Sequence, residues 1–255
     1  MRSKSVFAVA IVLFSTAYAM ATWTTIDKPG ATDTFIKGID GSNLVGYYKN
    51  TSGNYHGFLY DGTNWTTLDA PEATTRTRIY DIDSINIVGD YGNASGDHGF
   101  LYNGIGWLIL DAPGATGTYI TGIDGSNLVG NYNDASGGSH GFLYNYGTTW
   151  TTIDKPGANY TQIVGIDGSN LVGYYYNDNY SDDPGYHNFI YNNGSWIILD
   201  DVPGANHTNI KGIDGSNLVG YYSDVSDGHS FIYAIPEPST LLLLGLSAVM
   251  ARRKE

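Results

Sequence analysis

Along most of the chain, apolar and β-branched positions come in short runs, each cut by a turn rich in Gly, Asp or Asn. Residues 34–39 (Thr-Phe-Ile-Lys-Gly-Ile) form one such run, and Asp40-Gly41-Ser42-Asn43 ends it before a second run at 44–48. A variable polar loop, 49–55, leads to a third run at 56–60. Asp61-Gly62-Thr63-Asn64 then turns into a fourth, 65–69, which Ala70-Pro71 ends. Segments this short and this often interrupted by glycine cannot sustain a helix, and their turn chemistry predicts four antiparallel strands.

The same pattern returns five times. Its tryptophans are Trp23, Trp65, Trp107, Trp150 and Trp196, spaced 42, 42, 43 and 46 residues apart. Four residues after each stands an aspartate: Asp27, Asp69, Asp111, Asp154 and Asp200. A proline follows, usually in Pro-Gly-Ala, and then an Ile-Asp-Gly-Ser-Asn-Leu-Val-Gly segment closed by Gly46, Gly89, Gly130, Gly173 and Gly220. A His-Gly-Phe-Leu-Tyr strand or a close variant comes last, carrying His56, His98, His140, His187 and His229. Four strands per repeat of about 42–46 residues predicts an all-β, five-bladed β-propeller. The phase of the repeat predicts how it closes. The mature chain is expected to begin with a Trp strand and to end after His229 without one, so residues 23–27 are expected to complete the fifth blade and remove the open edges.

The repeats resemble the HAF-type extracellular repeat in their Gly38-Ile39-Asp40 turn, Val45-Gly46-Tyr47 strand and His56-Gly57-Phe58-Leu59-Tyr60 strand. The last two copies depart from it, reading His187-Asn188-Phe189-Ile190-Tyr191 and His229-Ser230-Phe231-Ile232-Tyr233. The resemblance implies a surface propeller and carries no activity.

Both ends read as addresses. Arg2 and Lys4 precede an apolar run, 6–14, and the small-residue site Ala19-Met20-Ala21, which together make residues 1–21 a secretory signal peptide. At the other end Pro236-Glu237-Pro238 precedes an apolar segment, 240–251, and the basic tail Arg252-Arg253-Lys254. Twelve apolar residues span roughly 18 Å as a helix, short of a hydrocarbon core of about 30 Å, so a permanent transmembrane helix is not expected. This tripartite end, 236–255, resembles the PEP-CTERM sorting signal of Gram-negative bacteria. The resemblance implies transient inner-membrane passage, processing by an exosortase, and delivery to the cell surface or the exopolysaccharide matrix.

Between these addresses lie residues 22–235, the expected propeller domain. Removing the ends takes away five of the 12 basic residues and two of the 25 acidic ones, leaving 7 against 23, or −16. A strongly acidic chain without basic clusters excludes nucleic acid as a partner. The absence of cysteine excludes disulfides, thiolate metal sites and Cys nucleophiles.

Candidate chemistry is spread evenly over the repeats. The five histidines share a strand face with packed aromatics, so a structural hydrogen bond to a turn or to the repeat aspartate is the expected role. The five tryptophans are expected to be structural too. Asp40, Asp83, Asp124, Asp167 and Asp214 enter the turn of the expected innermost strand, where they offer either a carboxylate ring lining a channel or Asp-Gly turn caps. The Asp/Asn-rich loops lack the ligand spacing of a calcium site, and no cofactor or metal is expected. In the second repeat Glu72, Arg76, Arg78 and Tyr80 break the pattern and read as variation on a solvated loop.

An enzyme needs an asymmetric constellation, such as the acid and base of a glycosidase, and near-identical repeats do not single one out. No nucleophile-elbow, zinc-protease or phosphate-loop motif is present. The expectation is a non-catalytic binding or structural propeller, with Tyr- and Trp-lined grooves suited to multivalent binding of matrix polysaccharide. The alternative is a secreted glycan-active, glycosidase-like enzyme on the same propeller.

Overall fold

The computed structural model describes residues 24–176, 185–225 and 227–235, and every regular element within them is a β-strand. Unit one holds β1 (Asp33–Asp40), β2 (Asn43–Lys49), β3 (Tyr55–Tyr60) and β4 (Trp65–Thr67). Unit two holds β5 (Arg76–Asp83), β6 (Asn86–Asn93), β7 (Gly96–Tyr102) and β8 (Trp107–Ile109). Unit three holds β9 (Gly117–Asp124), β10 (Asn127–Asn133), β11 (Ser139–Asn145) and β12 (Thr149–Thr152). Unit four holds β13 (Tyr160–Asp167), β14 (Asn170–Tyr176), β15 (His187–Asn192) and β16 (Ser195–Leu199). The fifth has three described strands, β17 (His207–Asp214), β18 (Asn217–Ser223) and β19 (Gly228–Ala234).

Each unit is an antiparallel meander that begins at its first strand. Single parallel bridges, Tyr55 with Arg76, Asp97 with Gly117 and Ser139 with Tyr160, link units one to four into one continuous hydrogen-bonded sheet. The first strands β1, β5, β9, β13 and β17 pack one against the next, which sets the units side by side around a common line.

One local device is common to all five units. In β1 the pairing register slips between Ile36 and Gly38, which leaves Lys37 as an extra residue and bends the strand. The bend drives the Phe35 carbonyl towards β2, and a Cβ on Gly46 would sit 2.0 Å from that oxygen. The same clash awaits any side chain at Gly89, Gly130, Gly173 or Gly220, so the repeated Val-Gly is a steric requirement.

Buried apolar residues lie between units. Val45 and Ala70 of unit one meet Ile79, Ile82, Ile87 and Phe100 of unit two, with Leu59, Leu68 and Trp107 packed against them. Equivalent clusters join unit two to three, three to four and four to five. A unit therefore buries little alone and is completed by its neighbours, as in other quasi-one-dimensional repeats.

The expected closure is not formed by the described residues. Residues 24–28 carry no strand, β19 pairs with β18 alone among the described residues, and Trp23 lies outside them. The fifth unit accordingly forms a separate three-stranded sheet. The signal peptide, 1–21, and the sorting segment, 236–255, also lie outside the described residues. Among those described, no helix is long and apolar enough to cross a membrane.

Candidate functional site

The repeat histidines are built into one recurring arrangement. In unit one, His56 Nδ1 donates to Asp69 Oδ2 at 2.7 Å, and Asp69 Oδ1 accepts the Gly57 N–H at 3.2 Å. Asn50 Nδ2 donates to His56 Nε2 at 2.9 Å, and Tyr48 stacks on the imidazole at 5.3 Å. His98 repeats it with Asp111, Gly99 and Tyr91, and His140 with Asp154, Gly141 and Tyr132. His187 stacks on Tyr175 and His229 on Tyr222. In each case the alternation of β3-type strands puts His, Phe and Tyr on one side.

Unit three adds a second carboxylate. Asp134 Oδ2 lies 3.2 Å from His140 Nε2, so carboxylates face both ring nitrogens. Burial opposes protonation of His140, but Asp154 and Asp134 outweigh it and raise its pKa.

Each tryptophan in the described strands packs on the third strand of its own unit. Trp65 lies 4.9 Å from Phe58 and 4.6 Å from Tyr60, and Trp107, Trp150 and Trp196 repeat the contact.

Four of the five turn aspartates form a staircase between units. Asp40 Oδ2 accepts the Ser84 N–H at 2.8 Å, Asp83 that of Gly125 at 2.6 Å, Asp124 that of Gly168 at 2.6 Å and Asp167 that of Gly215 at 2.7 Å. One oxygen of each of these four is thus committed to the next unit. Asp214 makes no such bond among the described residues. No group of three or more His, Asp or Glu among those residues is placed to hold a metal ion.

Unit two departs from the expected solvated loop. Arg76, Arg78 and Tyr80 lie in β5, and Arg78 donates twice to Asp90 Oδ1, at 3.0 and 3.2 Å, and once to Oδ2, at 3.1 Å. Asp90 is fully buried, Arg76 lies 3.4 Å from it, and Arg76 also pairs with Asp97 at 2.6 Å. Burial pushes the Asp90 carboxyl up in spite of both guanidiniums. The clue in the sequence was paired: Arg78 and Asp90 face each other across β5 and β6, where unit one has Phe35 opposite Tyr47.

Among the described residues, two grooves between units bear on binding. A polar cleft of about 110 Å³ between units one and two is lined by Asn54, Tyr55, His56, Asp69, Thr74 and Arg76, which includes one His–Asp pair. A larger, more apolar groove of about 590 Å³ lies between units four and five, lined in part by Ile198, Leu199, Leu218, Phe231 and Tyr233. Sequence reasoning expected grooves lined with Tyr and Trp but did not single out either of these two.

Several solved structures resemble this chain. A triple arginine-to-alanine mutant of AofleA from Arthrobotrys oligospora is 16% identical, with 77% of this chain and 67% of that one covered and a TM-score of 0.50. The SapL1 lectin in complex with alpha methyl fucoside is 17% identical, with 77% of each chain covered and a TM-score of 0.49. The lectin of Aleuria aurantia, a six-bladed β-propeller, is 15% identical, with 78% of this chain and 76% of that one covered and a TM-score of 0.39. At 16% identity the likeness to the first of these is one of fold alone. No curated protein matches the chain in sequence. The PEP-CTERM protein-sorting motif matches residues 234–254, and this motif indicates export and sorting to the cell surface of a Gram-negative bacterium.

Proposed function

We propose that the mature chain is a non-catalytic surface or matrix protein that binds polysaccharide through equivalent grooves between the blades of a five-bladed propeller. The observation that carries this reading is the recurrence of one His–Asp–Tyr arrangement at the edge of successive junctions, opening in one case onto a polar cleft. Amides and hydroxyls such as those of Asn54, Tyr55 and Thr74 suit sugar hydroxyls, and repeated weak sites gain by multivalency. Exposed rings at Tyr146, Tyr186, Tyr221 and Tyr233 offer faces for sugar stacking. The net negative charge favours neutral or cation-bridged glycans over polyanions.

The reading includes the HAF-type character of the repeats, ring closure through the N-terminal strand, exosortase processing at the Pro236-Glu237-Pro238 end and transient membrane passage of that segment. A glycan array with the exported protein tests the binding part. Saturable binding of one saccharide class is expected, whereas a flat array would leave a structural matrix component. Deleting residues 236–255 is expected to abolish surface retention without changing the array result.

A further inference from the structure

One position of the repeat lies on the strands that pack around the common line and carries unequal chemistry. It is the extra residue of the bulge, which is Lys37 in β1, Tyr80 in β5, Thr121 in β9, Val164 in β13 and Lys211 in β17. Unit three shows where such a side chain reaches. Thr121 Oγ1 donates to the Ile163 carbonyl at 2.7 Å, on the first strand of the next unit. Two of the five positions are lysines, and they stand on the first and the last unit of the row.

The two lysines are held alike. Lys37 Nζ lies 5.3 Å from the centre of the Tyr47 ring, and Lys211 Nζ lies 5.3 Å from that of Tyr221. In each case the ring belongs to the second strand of the same unit, opposite Phe35 in one and Asn209 in the other. A ring face holds an ammonium by cation–π attraction but carries no formal charge to neutralise it. Both lysines are exposed to solvent. Ile36 beside the one and Val219 beside the other are each 42% exposed, so a solute can reach the ammoniums.

Each charge acts on the next. Partial desolvation and the Arg78 charge lower the pKa of Lys37, and partial desolvation and the Lys37 charge lower that of Lys211. The row continues into unit two, where the Tyr80 ring lies 6.1 Å from Tyr47 and 5.7 Å from the Arg78 guanidinium. Arg78 is already answered by Asp90, with which it makes three hydrogen bonds. Among the described residues no carboxylate comes within 4.0 Å of either lysine ammonium. This is not for want of acids, because residues 22–235 hold 23 of them against 7 bases. Like charges that face each other without a counter-charge cost free energy, and an anion between them reverses that cost.

We propose that Lys37 and Lys211, each seated on its tyrosine, form an anion site that takes one oxyanion group between the two ammoniums. Each ammonium brings three N–H donors, enough to serve two oxygens of a sulfate, phosphate or carboxylate. The net negative charge of the chain opposes a polyanion, so the occupant carries one or two charges. The same chemistry has two sources, a free inorganic ion and the single acidic group of an otherwise neutral saccharide. The carboxylates expected along this line, Asp40 and Asp214, stand three residues further on in their strands, and Asp40 is committed to the Ser84 N–H. The site is separate from the grooves proposed above to bind polysaccharide, which offer amides and hydroxyls, and does not rest on them.

The test is titration of the exported protein with sodium sulfate and with glucuronate at low ionic strength, followed by the lysine side-chain NMR signals. Saturable shifts of Lys37 and Lys211 are expected with at least one probe. Lys155, whose Nζ lies 5.3 Å from the Tyr175 ring in unit four, is the control and is expected not to move. Lys37→Gln and Lys211→Gln are each expected to weaken binding about tenfold or more, and Lys155→Gln less than about twofold. Binding of sulfate alone supports the site with a free ion as its occupant, and tighter binding of glucuronate supports it with an acidic saccharide. No saturable shift with either probe, or equal weakening by Lys155→Gln, would overturn the proposal. Should a variant fail to fold, the shifts in the unaltered protein decide. No neutral glycan enters the measurement, so anion binding beside a flat glycan array would overturn the functional reading alone.

Discussion

Asp81 stands where the other units have Gly38, Gly122, Gly165 and Gly212. Its carboxylate accepts the Ile123 N–H of the next unit at 3.0 Å and its neighbour Ile82 N–H at 2.9 Å, yet burial lifts its pKa from 3.8 to about 6. Because the folded pKa is raised, its favourable contribution is complete below pH 3.8 and is lost as pH rises through about 6. Asp81→Asn keeps an acceptor without the charge. Relative to that variant, the native protein is expected to lose on the order of 1–2 kcal/mol between pH 4 and pH 7, read by denaturant titration at each pH. The opposite partner type gives a second pH dependence. The stabilisation from His140, flanked by Asp154 and Asp134, is expected to be present below about pH 6.5 and lost as pH rises through its raised pKa. Asp134→Asn should lower the His140 titration midpoint followed by NMR. A third case is Ser84, held at φ 58° where Gly41, Gly125, Gly168 and Gly215 take the same conformation. Ser84→Gly is expected to stabilise by about 0.5–1 kcal/mol, since only glycine enters this region without steric cost. At this scale the sequence was informative about residue type and silent about charge environment. The repeat marked Ser84 as an exception to glycine, but nothing in it showed that Asp81 is enclosed by the next unit.

Strands and turns were legible because each follows from local chemistry. The expected runs at 34–39, 44–48 and 56–60 lie within β1, β2 and β3, and the fourth run, 65–69, shortens to β4, beyond which the Asp69 side chain bonds His56. The bulge was not legible, since its cause is a carbonyl on a neighbouring strand. Its consequence is testable: Gly130→Ala would put a Cβ 1.9 Å from the Tyr119 oxygen, so a loss of about 3 kcal/mol or more is expected in urea unfolding. Arg76, Arg78 and Tyr80 were misread as loop variation because Asp90 was not read beside them, whereas strand register pairs it with Arg78. Asp90→Asn alone leaves Arg78 beside a neutral partner and is expected to cost about 3 kcal/mol. Replacing both by the unit-one pair, Arg78→Phe with Asp90→Tyr, should recover most of that loss, and a double-mutant cycle measures the coupling.

For the whole molecule, five units share four described junctions, each with its own apolar cluster. Stability is therefore a property of junctions, and a fifth junction would bury Ile36 and Val219 at once. The repeat count and the unpaired last unit were readable from the spacing of tryptophans. The staircase from Asp40 to Ser84 and onward was not, because it joins residues about one repeat apart through backbone N–H groups that carry no sequence signature. The binding surfaces were legible only as a class, since the polar cleft beside His56 depends on how two units meet. The sorting end was the most specific signal, because it is recognised as a linear segment and needs no tertiary context. The most direct test of the central claim is a calorimetric titration of the mature protein with oligosaccharides released from the producing cell's own matrix. The account predicts saturable binding with several equivalent sites per chain, approaching one per junction, and no change in the saccharide. A titration without heat at every concentration, or cleavage of the oligosaccharide that a single Asp substitution abolishes, would contradict it.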